Sequence, residues 1–263
     1  MSELHSRNLI QFEPGEGDHF RSLYVFRGMD DAKWSLATSL ERLSRKPDTD
    51  TILIEKSLIR SFRKYASAGT FDQKSEWYVL AVAQHNGLPT RCLDWTASPL
   101  VAAHFACGCE GYKNDDGAIW CLHLPILREI NEGNVPHEAS LRGVAWVYDT
   151  HLLERGFTDL DALDNNAGLG ELMLLWEPPS LDARIANQYG LLSIMNSPTK
   201  SQNAFLETHS NDHPGLVLRI VVDAKAKSEI RDMLDQNAIS ERTLFPGLPG
   251  LCDWLRRRYG RAW

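Results

Sequence analysis

Short runs of apolar and β-branched residues indicate the strands of this chain. Five such runs are bounded by residues that favour turns, and they lie at 23–26, 117–124, 172–177, 191–195 and 216–222. Pro89 disfavours a helical conformation at Leu88, so the segment from Thr90 to Trp95 is expected to be a further strand or an extended loop.

Apolar residues at helical spacing predict helices between these strands. The clearest case runs from Asp50 to Tyr65, where the recurring positions are Ile52, Ile54, Leu58, Ile59 and Phe62. Similar segments occur at 38–43, 73–85, 99–107, 149–155, 224–234 and 251–258, and a short helix carrying Arg184 and Gln188 is expected after a cap at Ser180 or Asp182. Strands and helices are interspersed without a repeating βα period, which predicts an α+β fold.

Length, charge and cysteine content narrow the class of protein. A chain of 263 residues can bury a substantial core, and residues 1–22 are expected to be a loose lead-in. With 28 basic and 35 acidic residues the formal net charge is -7, which does not favour a general nucleic-acid surface but leaves room for a local basic cleft. The sequence has no apolar run long enough to span a membrane and no signal-peptide pattern. Its five cysteines are expected to be free thiols, as in a reducing compartment, so a cytoplasmic protein is expected.

The stretch from Gln84 to Ala106 carries the densest group of polar and aromatic residues between two apolar segments. Thr96 or Ser98 can cap the following helix, with Pro99 in its first turn, and the free amides of such a helix start favour a bound anion. The corner formed by Asp94, Trp95 and Thr96 is therefore a candidate phosphate site. The alternative is that Arg91 and Asp94 pair with distant partners to fix the corner, while Trp95 fills the core.

Several motifs of the chain resemble the FRG domain family. The tripeptide Phe26-Arg27-Gly28 matches the step that gives the family its name, and the likeness continues at residues 84–91, 93–96, 99–102 and 105–106. Two later pieces are also similar, Arg184-Ile185 with Gln188 and Gly190, and 244–246 with Leu248. The resemblance implies one domain over 23–263, built on a mixed or split β-sheet flanked by helices.

A more distant resemblance to ADP-ribosyltransferases implies a cleft that binds NAD. In that pattern a strand with an aromatic-Arg-Gly step binds the NAD phosphates, a second strand lies near the nicotinamide ribose, and a third carries a Glu. The residues expected to bind the cofactor are Arg27, Gly28, Thr90, Arg91, Asp94, Trp95 and Thr96. The catalytic candidates are Arg27, Glu177, Gln188 and His85.

Two residues are candidates for the position that the Glu of the third strand occupies in this pattern. Glu177 ends a predicted strand before two prolines, whereas Gln188 lies in the family-like segment but carries an amide. An amide can bind a ribose hydroxyl but cannot stabilise a developing cation as a carboxylate does. If Gln188 takes this position, transfer of ADP-ribose would need Glu177 or Asp94 to supply the carboxylate.

Two other chemistries also fit the residues. His85 and Asp94 could act as an acid-base pair, because His titrates near neutral pH and an Asp can fix its tautomer. A metal site is the other alternative, with His104, Cys107, Cys109, Cys121 and His123 as ligands, but Cys-x-Cys lacks the usual two-residue gap. The simpler interpretation is that these cysteines are buried and pack as apolar residues, so no metal is expected.

The leading functional hypothesis is an ADP-ribosyltransferase-like enzyme that uses NAD, acting as a toxin or a phage-defence effector, as the family resemblance implies. Its partners would be a nucleotide ligand and a protein or nucleic-acid acceptor, without a membrane. The competing hypothesis is a sensor or interaction module that binds a nucleotide or a phage protein in the same cleft without catalysis. A basic C-terminal helix with Arg256, Arg257, Arg258 and Arg261 is expected to be a solvated end or a contact surface.

Overall fold

The computed structural model describes residues 12–14, 20–45, 49–108, 114–137, 147–165, 170–179 and 183–260. Near the N-terminus, β1 (Phe12–Pro14) and β2 (Phe20–Ser22) form a small antiparallel pair. The expected loose lead-in over residues 1–22 therefore contains a pair of short strands.

The main sheet of the described residues has seven strands in the order β6-β7-β8-β4-β3-β5-β9. Only β6 and β7 pair in parallel; the other neighbours are antiparallel, so the sheet is mixed. The strands are β3 (Tyr24–Met29), β4 (Leu93–Thr96), β5 (Gly117–His123), β6 (Tyr148–Asp149), β7 (Met173–Glu177), β8 (Gly190–Met195) and β9 (Val217–Val222).

Helices cover both faces of this sheet. In chain order they are α1 (Ser39–Leu43), α2 (Thr51–Tyr65), α3 (Glu76–His85), α4 (Pro99–Ala106), α5 (Leu124–Asn131), α6 (Thr150–Gly156), α7 (Leu160–Asp164), α8 (Ala183–Gln188), α9 (Gln202–Asp212), α10 (Lys227–Gln236, after a 3-10 turn at Ala224–Ala226), α11 (Glu241–Leu244) and α12 (Leu248–Gly260). Within the part of the chain that the structure describes, no helix has both the length and the apolar character required to cross a bilayer.

The predicted α+β class and the mixed sheet are confirmed. Side-chain caps start several of the predicted helices, as Asp50 does for α2, Ser75 for α3 and Ser98 for α4. Helix α7 (Leu160–Asp164), which Asp159 caps, was not among the predicted helices. Helices α5 and α9 were not predicted from the sequence.

The sheet separates two layers of the core. Along β7, Leu174 and Trp176 pack into one hydrophobic cluster and Met173 and Leu175 into another, as the alternation of a strand requires. The first cluster lies under α2, α3, α6 and α7. A third cluster, centred on Phe26, lies between β3, β5 and α4. Phe26 pairs with Thr96, and Asp94 lies two residues before Thr96 on β4, so these three side chains share a face of the sheet.

Candidate functional site

The centre of the sheet is split between β3 and β4. These strands share a single paired position, Phe26 opposite Thr96, whereas β3 and β5 pair over six residues. The strands diverge beyond that position, and a cavity of about 240 Å³ lies at the divergence. Its walls come from β3, β4, β8, α3, α4 and α8, together with Pro178, which follows β7.

Arg27 crosses the split. Its Nη1 donates a hydrogen bond of 2.6 Å to the main-chain carbonyl of Asp94, and lies 3.8 Å from the Asp94 carboxylate. The side chain is 21% exposed, and its Nε is buried without a hydrogen-bond partner among the described residues. Burial lowers the pKa of Arg27, and the Asp94 carboxylate opposes that change. The guanidinium remains a cation near neutral pH, with donors that the surrounding protein does not use.

The Asp94 carboxylate is held by α3. Gln84 Nε2 donates to Asp94 Oδ2 at 2.8 Å, and Gln84 Oε1 accepts a short hydrogen bond from the Thr90 hydroxyl. Gln84 therefore fixes the orientation of Asp94 on β4 from the end of the neighbouring helix. His85, the last residue of α3, also lines the cavity. The Asp94 side chain is 63% exposed, which leaves it accessible from the cleft.

Helix α8 forms another wall, and its side chains contact Leu244 and Phe245. Thr96 Oγ1 donates to the Gln188 carbonyl at 2.6 Å, and Gln188 Nε2 donates to the Leu244 carbonyl at 2.9 Å. The Arg184 guanidinium lies over the Phe245 ring, 4.9 Å from its centroid. A second cationic side chain thus lines the cavity, one helical turn from Gln188.

Seven of the residues predicted for the site line this one cavity: Arg27, Gly28, His85, Asp94, Trp95, Thr96 and Gln188. Three do not line it: Thr90, Arg91 and Glu177. The roles assigned to the seven stay predictions, since the geometry gives their positions only. For two of them, Gly28 and Trp95, the structure also gives a packing reason for the residue type.

Gly28 is required by helix packing. A Cβ at this position would lie 1.9 Å from the Ala102 carbonyl oxygen and 2.7 Å from the Ala106 amide nitrogen, both in α4. The backbone of α4 fills the space on the Cβ side of Gly28, whereas its role toward a ligand stays a prediction. This close approach holds α4 against β3 directly behind the cleft.

Arg91 lies in a buried ion-pair cluster away from the cleft. Its guanidinium donates to both carboxylate oxygens of Glu55 in α2 and to Asp164 in α7. Burial opposes the charge, but the hydrogen bonds and charges of Asp164 and Glu55 outweigh it and raise the pKa of Arg91. β4 begins only at Leu93, so strand alternation does not extend back to Arg91 and does not direct its side chain. Its assignment to the ligand is replaced by the structural alternative.

Thr90 is held by partly buried hydrogen bonds and Trp95 by a buried one. The Thr90 hydroxyl donates to Gln84, and its main-chain groups exchange hydrogen bonds with Ser39. Trp95 packs in the second cluster, and its Nε1 donates to Ser193 Oγ at 2.8 Å. Thr90 thus supports Gln84 from outside the cavity, and the indole of Trp95 is part of the core.

Glu177 does not reach the cavity lining. It is the last residue of β7, it is exposed, and its main-chain carbonyl accepts a hydrogen bond from Thr150. Trp176, the preceding residue, packs under α3 in the first cluster, so alternation turns the Glu177 side chain toward the other face. Among the described residues, Asp94 is the only carboxylate that lines the cleft.

The residues of the alternative metal site have other contacts. Burial lowers the pKa of His104 to about 3, and burial raises the pKa of Cys107 to about 11. His123 caps α5 by accepting from the Ile126 amide. Cys109 lies outside the described residues, and within them no group of three or more His, Cys, Asp or Glu side chains is arranged to hold a metal.

The basic C-terminal helix is largely neutralised by its own neighbours. Arg257 binds Glu241 and Asp235, while Arg256 pairs with Asp253. The Arg258 guanidinium lies 5.2 Å from the Trp254 ring centroid. The contacts of Arg257 join α12 to α10 and α11, and Arg261 lies outside the described residues.

Sequence reasoning did not assign Gln84, Phe105 or Arg184 to the site, although all three belong to family-like segments. The sequence contains a signal for two of these residues. Gln84 directly precedes His85 at the end of a predicted helix, and Arg184 lies four residues before Gln188 on one helix face. Phe105 carries no such signal, because an apolar helical residue is equally suited to the core.

Comparison with known proteins identifies part of the chain. Residues 22–115 match the family model described as FRG domain. No curated protein and no solved structure matches the chain significantly. The matched residues include β3, α3, β4 and α4, and therefore Arg27, Gln84 and Asp94 of the cleft. The prediction of one domain over 23–263 stays a prediction, and the family match identifies an FRG domain at residues 22–115, in agreement with the motifs in that part of the sequence.

Proposed function

We propose that the cleft at the split of the sheet binds a nucleotide through its phosphates, with NAD as the ligand that the resemblance to ADP-ribosyltransferases implies. Arg27 and Arg184 would bind the anionic part, and Thr96, Gln84 and Gln188 offer polar groups around it. On this proposal the protein is an ADP-ribosyltransferase-like enzyme with Asp94 as its carboxylate. A cytoplasmic location, where NAD is available, belongs to the same proposal.

The observation that carries the proposal is the unused donor edge of Arg27. Nη1 is engaged by Asp94, whereas Nε and Nη2 have no hydrogen-bond partner among the described residues. A buried donor without a partner costs about 1–3 kcal/mol, which a ligand acceptor would recover. Nε and Nη2 form the planar fork with which arginine binds phosphate in a bidentate manner.

The size of the cavity limits how much of a dinucleotide it can enclose. Its volume of about 240 Å³ is below the roughly 300–1,000 Å³ of most small-molecule sites. The cleft therefore fits one part of NAD, and the remainder would extend from the opening beside Asp94. When bound, NAD would supply a glycosidic bond to nicotinamide that can be broken by an acceptor or by water.

Asp94 is suited to the charge that develops when such a bond breaks. Its carboxylate is oriented by Gln84 and is accessible from the cleft, whereas Glu177 is not part of the lining. Gln188 is neutral, and its amide already donates to the Leu244 carbonyl. The negative group that would stabilise a cationic transition state is therefore Asp94.

Removing the guanidinium tests ligand binding. In Arg27→Ala, the stabilisation of wild-type protein by millimolar NAD or ADP-ribose is expected to disappear, because a charged hydrogen-bond pair contributes about 1.5–3 kcal/mol to binding. The measurement is the thermal midpoint with NAD, ADP-ribose, ATP and nicotinamide, since a ligand that binds only the folded state raises that midpoint.

Arg60→Ala provides the matched control. Arg60 is an exposed cation on α2, outside the cavity, so its loss changes the net charge equally without touching the cleft. Circular dichroism of both variants checks the fold. If Arg27→Ala is stabilised by ligand as much as wild type, the phosphate site does not lie at Arg27.

Substitutions of Asp94 and Glu177 test whether the protein is catalytic and which carboxylate acts. Asp94→Asn is expected to reduce nicotinamide release from NAD by at least about 100-fold, since it removes the charge that stabilises the transition state. Glu177→Gln is expected to retain wild-type release and serves as the comparison. Chromatographic measurement of nicotinamide reports both rates, and the opposite ranking would transfer the catalytic role to Glu177.

The second candidate function is a nucleotide sensor without catalysis. It is favoured by the neutral amide at Gln188 and by the position of Glu177 outside the lining. Ligand stabilisation without nicotinamide release in the wild type would select the sensor. A toxin or antiviral role requires transfer to an essential protein or nucleic acid, and expression in cells, with Asp94→Asn as the inactive control, measures it as growth arrest.

A further inference from the structure

A second cavity, of about 500 Å³, lies on the opposite side of β3 and β5 from the packing of α4, and it shares no lining residue with the cleft. It is bounded by the loop after β3, the residues before β5, and side chains from β5, β9 and α9. None of the motifs considered for the proposed function lies in it.

Tryptophan gives this cavity its recognition chemistry. Trp34 is 41% exposed at the surface of the loop after β3. Trp120 lies deeper in β5, where Arg219 of β9 is its cross-strand neighbour and the guanidinium carbon is 5.4 Å from the indole centroid. The Trp120 Nε1 is buried and has no acceptor among the described residues. A buried indole N–H normally has a partner, so this one favours a ligand with an oxygen acceptor.

The charge of the cavity favours a cation. Four carboxylates line it, those of Asp31, Asp115, Asp116 and Glu207, against two cationic side chains, Lys33 and Arg219. Both cations are engaged, Lys33 with Asp115 at 3.4 Å, and Arg219 with the Ala32 carbonyl and the Trp120 ring. Glu207 has no ion-pair partner in the described parts of the chain, and the Asp31 carboxylate accepts only from the Lys33 amide.

We infer that this cavity binds a cationic side chain, arginine or lysine, presented by a peptide segment of a partner protein. The cation would lie against Trp34, which is 41% exposed, and pair with Glu207 and Asp31, because an aromatic ring and carboxylates both attract it. A main-chain carbonyl of the same segment supplies the acceptor for Trp120 Nε1, which a simple amine lacks. Trp and Arg at the centre are the residue types that dominate protein interfaces.

A titration of the full-length protein with a capped tri-arginine peptide tests this inference. Binding measured by calorimetry is expected to weaken with added salt, and to weaken about tenfold in Trp34→Ala and in Glu207→Gln. The indole N–H signals in NMR spectra should shift on titration, with the affected Trp120 signal assigned by Trp120→Phe. Asp94→Asn should bind the peptide as wild type does, because Asp94 lies on β4 and does not line this cavity, and this result separates the site from the proposed nucleotide cleft.

Matched variants are available nearby. Asp212→Asn removes an exposed carboxylate from the same helix as Glu207, and Tyr65→Ala removes an aromatic side chain that is 78% exposed on α2. Neither residue lines the cavity, and neither change should affect the affinity. Absence of peptide binding at millimolar concentration, equal binding of a tri-glutamate peptide or a neutral oligosaccharide, or equal effects of these control variants would each overturn the inference.

Discussion

Replacement of Arg91 by alanine is expected to lower the free energy of unfolding by about 3–5 kcal/mol. Arg91 and Glu55 are each 4% exposed at the side chain, so the change leaves a buried carboxylate without its cation. Asp164 loses its partner in the same cluster, which connects α2 and α7. Urea unfolding followed by circular dichroism measures the loss, and Arg91→Ala with Glu55→Gln should recover part of it because no buried charge remains at position 55.

The exposed pair between Lys56 and Asp161 is a matched control, since it joins the same two helices at 2.8 Å. Its side chains are 56% and 63% exposed, so Lys56→Ala should lower the stability far less than Arg91→Ala does. Equal losses in Lys56→Ala and Arg91→Ala would contradict the structural role of the buried cluster. Ligand binding to the folded fraction of Arg91→Ala should match wild type, because Arg91 lies outside the cavity.

The second large effect is expected at Gly28, where alanine should destabilise the protein by about 3 kcal/mol, at the upper end of the usual cost of overpacking. The added Cβ would lie 1.9 Å from the Ala102 carbonyl oxygen, and a backbone atom of a helix cannot rotate away as a side chain can. Relief of this contact requires α4 to move off β3. Thermal and urea unfolding report the loss of stability.

Gly190 is the control position for this substitution. It lies in β8, lines the same cavity, and a Cβ there would lie 3.7 Å from its nearest neighbour, the Ile185 carbonyl oxygen, which is ordinary contact. Gly190→Ala should therefore change stability by less than about 1 kcal/mol. Wild-type stability in Gly28→Ala would mean that α4 and β3 are not packed as closely as described.

Much of the candidate site could be predicted from the sequence, because the residues of the site lie at ends of strands and helices that are easy to predict. Arg27, Asp94 and Gln188 are far apart in the chain, yet the order of motifs was sufficient to place them together. Arg91 was assigned to the site for the same reason and does not lie there. Its partners are 36 and 73 residues away, and no local pattern reveals a pairing over that distance.

The fold was predictable where local signals were strong. β9 is rich in β-branched residues, and α2 has an apolar stripe with an Asp cap. α9 was missed because its polar sequence, QNAFLETHSND, buries only Gln202, Phe205 and Leu206. Gly28 shows the same limit, since only the approach of α4 reveals that packing requires a glycine there.

The single pairing between β3 and β4 has a mechanical consequence. The seven strands behave as two ladders, β6-β7-β8-β4 and β3-β5-β9, joined by one rung and by the side chain of Arg27. A molecule that contacts Arg27 on one ladder and Thr96 or Gln188 beside the other would act as a non-covalent cross-link between them. Amide hydrogen exchange in both ladders would then slow on binding, including strands that the molecule does not touch.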